Sequence, residues 1–363
     1  MKHLISIILL TTSFLAVNAQ SNSQNAEEAI TQAINYMDNG KINEAIVLLE
    51  QAQDLYPDNI NIPYEMAYAY QLAQDYDKCI KVAKPLLKRD DVFDQVYQLI
   101  GNSYDLKGQP EKGIKIYDKG LEKFPTSGKL YLEKGIVLAN QSKWVEAFDS
   151  WEAGIVADPD HSSNYYYATQ VLADSKEKIW AVYYGEMFLN LEPNTKRSLQ
   201  MSKSLFEIYR TCLPIKDGKW GLDFSHKSTN ITLSMNNLNA DNLLNKLMSF
   251  ETVHNLAMEA GYKDVEPEFT LANLIKIRKQ FLEKWNESYK PLYPNLVFDY
   301  HDILIKNEMF EPYYYWLMQE GAPDEFEAWK SANEEKYESF LSWYSENPMN
   351  FSEENKTNRI KYQ

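Results

Sequence analysis

The residue types best suited to chemistry gather in the last third of the chain, at Asp299-Tyr300-His301-Asp302, with His254 and Glu308 elsewhere in the same half. Asp299 and Asp302 are three positions apart, so on a helix they share a face, and hard oxygen ligands with one imidazole suit a divalent cation. Their spacing matches no metal template, and neither HExxH nor a paired CxxC occurs. Asp299, His301 and Asp302 are thus the nearest approach to a metal site. The plainer expectation is a polar helix face, with no metal and no cofactor. GxSxG, GxGxxG and Walker-type loops are also missing, so no catalytic residue is assigned. Tyr313-Tyr314-Tyr315-Trp316 has the composition of a sugar- or peptide-stacking patch, although such runs more often fill cores and interfaces.

The elements that would have to position these side chains are helical. Asp94 to Ser127 reads as two short helices split by a turn at Gly108. The first carries Tyr97, Ile100, Gly101 and Tyr104 at helical spacing; the second carries Ile114, Tyr117 and Leu121 before Pro125. Steps of 34 residues through Gly101 give Ala33, Ala67, Gly101, Gly135 and Thr169, all small. Steps through Gly113 give Ala45, Cys79, Gly113, Ala147 and Ala181, again all small. Steps through Pro125 give Pro57, Asp91, Pro125, Pro159 and Pro193, and proline there stops a helix. The Tyr104 column holds Tyr36, Tyr70, Leu138 and Leu172.

This pattern resembles the tetratricopeptide repeat (TPR), a 34-residue helix–turn–helix unit with small residues where its helices A and B meet. The register gives five repeats at 26–59, 60–93, 94–127, 128–161 and 162–195. Departures are Asp91 in the proline column, Pro63 and Ala29 at the leading aromatic site, and Gly185 at a bulky site of the fifth helix B. The resemblance implies a right-handed α-solenoid with a concave surface lined mainly by helices A. By register that surface includes Ile34, Tyr64, Tyr68, Gln71, Gln95, Gln98, Asn102, Lys129, Leu132, Tyr166 and Gln170. It is rich in tyrosine and amides. The Lys/Arg/Asn clamp with which some TPRs hold a terminal carboxylate is replaced by Ile30, Ile34, Glu65, Gln95 and Leu99. The partner-binding residues implied are Tyr64, Tyr68, Gln71, Gln95, Gln98, Asn102, Lys129, Tyr166 and Gln170, and the partner is a protein or peptide.

Residues 196–212 read as a helix capping the array. Residues 213–348 form an α-rich domain that resembles no known family. Trp220, Leu222 and Phe224, then Ile231, Leu233 and Met235, alternate about an HKSTN loop and predict a small β-hairpin. Helices are expected over Asp241–Ala260 and Pro267–Tyr289, from Pro294 and Pro312 at first helical positions, and over Pro323–Asn347. Residues 349–363 are expected to be a flexible polar tail.

Residues 1–19, with Lys2, an apolar run Leu4–Val17 and small residues ending at Ala19, have the layout of a secretory signal peptide. Export to the periplasm or beyond is expected, including the periphery of the outer membrane. A composition rich in Asn, Lys, Ile and Tyr points to a bacterial chain. No later stretch approaches the roughly 20 apolar residues of a membrane span. Of the 363 residues, 52 are acidic and 37 basic, for a net charge of −15, which loss of Lys2 takes to −16. Such a chain repels phosphate backbones, so nucleic acid is excluded as a partner. Cys79 falls on helix B of the second repeat and Cys212 beyond the fifth, too far apart to bridge, so both are expected to stay free thiols. The sequence therefore describes an exported, non-enzymatic scaffold. The alternatives are an enzyme or ligand-binding module at 213–363 recruited by the repeats, or an accessory subunit of an envelope assembly or uptake complex.

Overall fold

The computed structural model describes residues 24–225, 249–352 and 357–362. Two compact units divide between Ser142 and Lys143. The signal-peptide assignment, 1–19, lies outside the described residues.

The first unit is a run of helical hairpins. Helix α1 covers residues 24–38, followed by α2 (Ile42–Leu55), α3 (Asn61–Leu72), α4 (Tyr76–Ala83) and a 3-10 turn (Lys84–Lys88). Then come α5 (Asp94–Leu106), α6 (Pro110–Lys123) and α7 (Gly128–Asn140). One backbone device closes each hairpin. Gly40, Gln74, Gly108 and Ser142, 34 residues apart, all take the left-handed conformation, at φ 73°, 60°, 77° and 61°. In the first three, the next amide reaches back five residues: Lys41 N to Tyr36 O, Asp75 N to Tyr70 O and Gln109 N to Tyr104 O. These bonds satisfy carbonyls that a helix end would otherwise leave open. Asp75 then caps α4 through Lys78 N, and Pro110 opens α6 where its missing N–H costs nothing.

The small columns sit where hairpin helices touch. Ala33, Ala45, Ala67 and Cys79 are fully buried. A Cβ on Gly101 would lie 2.1 Å from the Tyr117 ring, and one on Gly113 would lie 2.9 Å from Gly101 O. The backbones of α5 and α6 can approach only because both side chains are missing.

The second unit contains α8 (Trp144–Ala157), α9 (Ser162–Ala173), α10 (Ile179–Leu191) and α11 (Lys196–Cys212), a small hairpin, and α12 (Phe250–Tyr262). Helices α13 (Leu271–Ser288), α14 (Leu296–Lys306), α15 (Phe310–Leu317), α16 (Pro323–Ala332) and α17 (Glu334–Glu346) complete it. Helix α10 is buried at every position from Ile179 to Leu189, the signature of a central helix with no solvent face. The compact units therefore do not divide where the repeat pattern stops. Residues 143–195 pack with the helices that follow them. Helix α11 has the expected bounds but is covered rather than left as a solvent cap: Glu320 N donates to Ser202 Oγ at 3.1 Å, and Gly321 presses on Phe206.

Several expectations are corrected. The hairpin pairs Ile215 with Trp220 and Lys216 with Lys219, two residues per strand. It turns at Asp217-Gly218, both at positive φ, which is the geometry a two-residue turn demands. The expected partner strand, 231–235, lies outside the described residues, as does the start of the Asp241–Ala260 helix. Leu222 to Ser225 instead runs back along the α9–α10 loop, where Lys178 N donates to Phe224 O. Pro294 precedes the Asn295 cap of α14, and Pro312 lies inside the first turn of α15 rather than at its start. Pro323–Asn347 is two helices, broken at Asn333, whose φ of −135° departs from the helical value and ends the first. Residues 349–363, expected to be flexible, hold buried positions at Met349, Thr357 and Asn358. Within this stretch, Arg359 is anchored by an ion pair and Tyr362 by aromatic stacking.

Candidate functional site

Helices α1, α3, α5 and α7 are the A helices of the first unit, and their side chains meet from one repeat to the next. Asp94 is a junction. It accepts from Ser127 Oγ at 2.6 Å and Lys129 Nζ at 3.5 Å. Gln95, with its amide oriented to suit both neighbours, donates to Asp94 at 2.5 Å and accepts from Lys129 at 3.0 Å. Gln98 donates to Glu133 at 2.9 Å. Gln71 donates to Ser103 Oγ at 2.9 Å and to Leu99 O at 3.2 Å. Asn102 accepts from the Tyr117 hydroxyl at 2.5 Å. The predicted amides are therefore used to tie neighbouring helices together. They are fixed in orientation, which leaves their remaining hydrogen-bonding capacity preorganised on the surface.

The two tyrosines of α3 part company. Tyr64 packs edge-on against Phe93 with centroids 4.9 Å apart, and burial pushes its phenol up to about 12. Tyr68, one turn on, is 39% exposed, and Leu72, a further turn on, is 42% exposed. Tyr68 and Leu72 form an apolar strip beside the tethered amides. Leu72 is a position that the register-based set of tyrosines and amides does not include.

Two carboxylates also went unassigned. Burial raises the Glu65 carboxyl above its usual range, and the same holds for Asp105. Asp105 and Glu133 both lie close enough to Tyr117 to raise its hydroxyl, though burial is the larger cause. The face is acidic as well as aromatic.

Tyr166 and Gln170 belong to the second unit. There Tyr166 lies under the Arg197 guanidinium, 5.2 Å from ring centroid to carbon, and its hydroxyl donates to Gln200 at 3.4 Å. Gln170 is exposed.

The acidic cluster does not assemble into a metal site. Asp299 and Asp302 share a face of α14 as expected, and both bind Lys290, at 2.8 and 2.7 Å. Asn286 adds a bond to Asp302 at 2.6 Å. His301 points the other way, fully buried, with Nε2 2.5 Å from Glu186. No group of three potential ligands converges among the described residues. Tyr313 to Trp316 is core, with all four residues buried. Tyr313 donates to Glu186 at 2.8 Å, and Tyr314 accepts from Arg278 Nε at 2.9 Å. Arg278 itself is fully buried, with the rings of Phe281, Tyr183, Tyr209 and Phe298 at 4.3 to 5.9 Å from its guanidinium carbon. Glu186 sits at a position where a repeat needs only a helical residue, so nothing in the sequence marks it as a hub.

Residues 36–102 match one model of the tetratricopeptide repeat and residues 94–122 match a second. Residues 36–122 are tetratricopeptide repeats. The remainder of the chain matches no family model, and no curated protein sequence matches the chain. Among solved structures it is similar to a thermophilic TPR protein of Thermus thermophilus, at 15% identity and a TM-score of 0.41, over 50% of this chain and 98% of that one. It is also similar to PilF of Pseudomonas aeruginosa, at 16% identity and a TM-score of 0.44, over 52% of this chain and 86% of that one. A third is YrrB, described as a TPR protein with an unusual peptide-binding site, at 17% identity and a TM-score of 0.35, over 48% and 90%. No described helix is long and apolar enough to cross a membrane.

Proposed function

We propose that this protein is a non-enzymatic scaffold that holds a protein or peptide segment on the A-helix face of its first unit. Repeats of this kind are protein-interaction modules. The observation that carries the reading is the strip of Tyr68 and Leu72, exposed one turn apart beside amides that neighbouring helices hold in place. An aromatic with few rotors gives contact area at low entropic cost, and fixed amides can bond an extended backbone. We place its action outside the cytoplasm, after removal of residues 1–19. The mass of the protein purified from the producing cell tests this directly: a chain beginning at Gln20 supports it, and an intact amino terminus refutes it.

Tyr68→Ala with Leu72→Ala should weaken capture of the partner from native extract by at least about 2 kcal/mol, with little change in melting temperature. Tyr64→Ala should do the opposite, lowering stability more than capture, because Tyr64 packs on Phe93. Undiminished capture by the folded Tyr68/Leu72 variant would move the binding surface elsewhere.

A second reading rests on a pocket of about 720 Å³ in the second unit, bounded by Trp220, Leu256, Tyr262 and Pro267 with Lys219, Glu259 and Lys263 at its edge. Its size and mixed lining suit a small ligand. Trp220 Nε1 donates to Val265 O at 2.9 Å, which holds the indole as a wall. A screen of small molecules for indole fluorescence change that returns a saturable ligand would support a ligand-binding module there.

A further inference from the structure

Residues 357–362 lie in the second unit as a bound peptide would. Arg359 reaches Glu152, an α8 carboxylate only 2% exposed, through Nε at 2.8 Å and again through Nη2, and its guanidinium covers the Phe148 ring at 5.0 Å. Arg359 N donates to the Tyr184 hydroxyl at 2.9 Å, and that hydroxyl in turn donates to Glu152 at 3.1 Å. Three positions on, the Tyr362 ring is stacked on Phe250, with centroids 4.9 Å apart and planes 9° apart, and on Trp180 at 5.6 Å and 23°. Its hydroxyl donates to Pro294 O. Just before the first anchor, Thr357 Oγ1 accepts from Leu296 N at 2.8 Å, and Asn358 Oδ1 accepts from Lys361 N at 2.9 Å, which folds the segment back on itself.

Glu152 decides what this site is. A carboxylate so deeply buried is costly unless a cation with matching geometry meets it, and a planar guanidinium held at two points is that match. Among the described ion pairs, its only cation is Arg359. The receptor side comes from the folded helices, with Glu152 and Tyr184 forming a polar socket and Trp180 with Phe250 an aromatic slot. The geometry points to a peptide-binding site on the second unit, specific for an arginine followed three residues later by an aromatic, which the chain's own segment 357–362 occupies in cis. A partner protein carrying that pair would enter by displacing the segment. This site is separate from the A-helix face, so it stands whether or not that face binds.

A fluorescent peptide of residues 349–363 tests the assignment by anisotropy. The chain lacking 349–363 should bind it saturably. An Arg359→Ala peptide should bind at least about a hundredfold more weakly, since removing one partner of a buried pair leaves a bare charge. The unmodified full chain should bind at least about tenfold more weakly than the shortened one, because the tethered segment competes at high effective concentration. Full-length Arg359→Ala, which keeps the segment but not its anchor, guards against misfolding of the shortened chain and should bind the native peptide more tightly than the unmodified chain does. Failure of full-length Arg359→Ala, folded by circular dichroism, to take up the peptide would overturn the assignment. Equal binding of the native and Arg359→Ala peptides would overturn it too.

Discussion

The two units solve the same packing problem with opposite chemistry. In the first, helices meet through missing side chains: Gly101 against Tyr117 and Gly113 against the Gly101 carbonyl. Polar groups there tie one repeat to the next. In the second, the equivalent depth is filled with aromatic rings and a buried polar network in which Glu186 joins His301 and Tyr313, and Tyr314 meets Arg278. The first strategy needs only near neighbours in sequence, because each hairpin contacts the next. The second joins residues more than 100 positions apart, as Glu186 and His301 are. Local closure makes a regular array. Long-range polar closure makes a single irregular core whose members depend on one another.

The largest effect that could break this comparison lies in the second unit. Arg278→Met removes the buried guanidinium that donates to the Tyr314 hydroxyl and lies among four rings, and should destabilise by about 3 kcal/mol, the upper range for losing a charged hydrogen-bond partner in a buried site. Amide exchange should rise across α13, α14 and α15 while α3 to α6 stay protected. Uniform loss of protection in both units would mean that the two cores are not distinct. Next comes Gly101→Leu, which drives a side chain into the Tyr117 ring and should cost about 1–3 kcal/mol, with exchange rising first in α5 and α6. Lys107→Leu, at the exposed start of the following turn, should leave the melt nearly unchanged.

A pH series sharpens the comparison further. His254 is fully buried among Phe224, Phe281 and Tyr183, and burial, helped by Arg278, pushes its imidazole down from 6.5 to about 3. The unfolded chain therefore takes up a proton that the folded chain refuses. This contribution is complete above pH 6.5 and falls away as the pH drops from 6.5 toward about 3, by about 1.4 kcal/mol per pH unit at most. Denaturant midpoints of His254→Phe, measured from pH 7.5 to 4.5, should fall less steeply than those of the unmodified chain. Parallel slopes would remove His254 as the source. The smallest effect is a gain. Gln74 and Ser142 hold the left-handed turn position with a Cβ, where Gly40 and Gly108 have none. Gln74→Gly should therefore stabilise by up to about 1 kcal/mol, and Gly108→Ala should lose a similar amount. A loss on Gln74→Gly would show that the Gln74 side chain contributes more than its backbone strain costs.

The repeats were legible because their rules are local. A small residue every 34 positions marks close helix contact, and residues 36–122 are those repeats. The turn position recurs at the same spacing and is glycine only half the time, which a search for glycines alone would miss. The A-helix side chains could be assigned to one face by register, but register could not tell Tyr68 from Tyr64. One turn apart on the same helix, they differ in whether Phe93, at the end of their own repeat, covers them. Likewise Asp299-Tyr300-His301-Asp302 showed a polar helix face, not that His301 turns inward to a glutamate more than 100 residues earlier.

The sequence by itself determined the helical period, the small columns that let paired helices touch, and the amphipathic faces, because those depend on residues within one or two turns or one repeat of each other. Only the tertiary structure decided where the compact units divide, what the polar residues inside the second unit bind, and that residues 357–362 are anchored. Each of these is a pairing between distant positions, and burial changes its sign: the charge that keeps Glu152 or Arg278 at the surface in isolation becomes, once a partner closes over it, a specific contact.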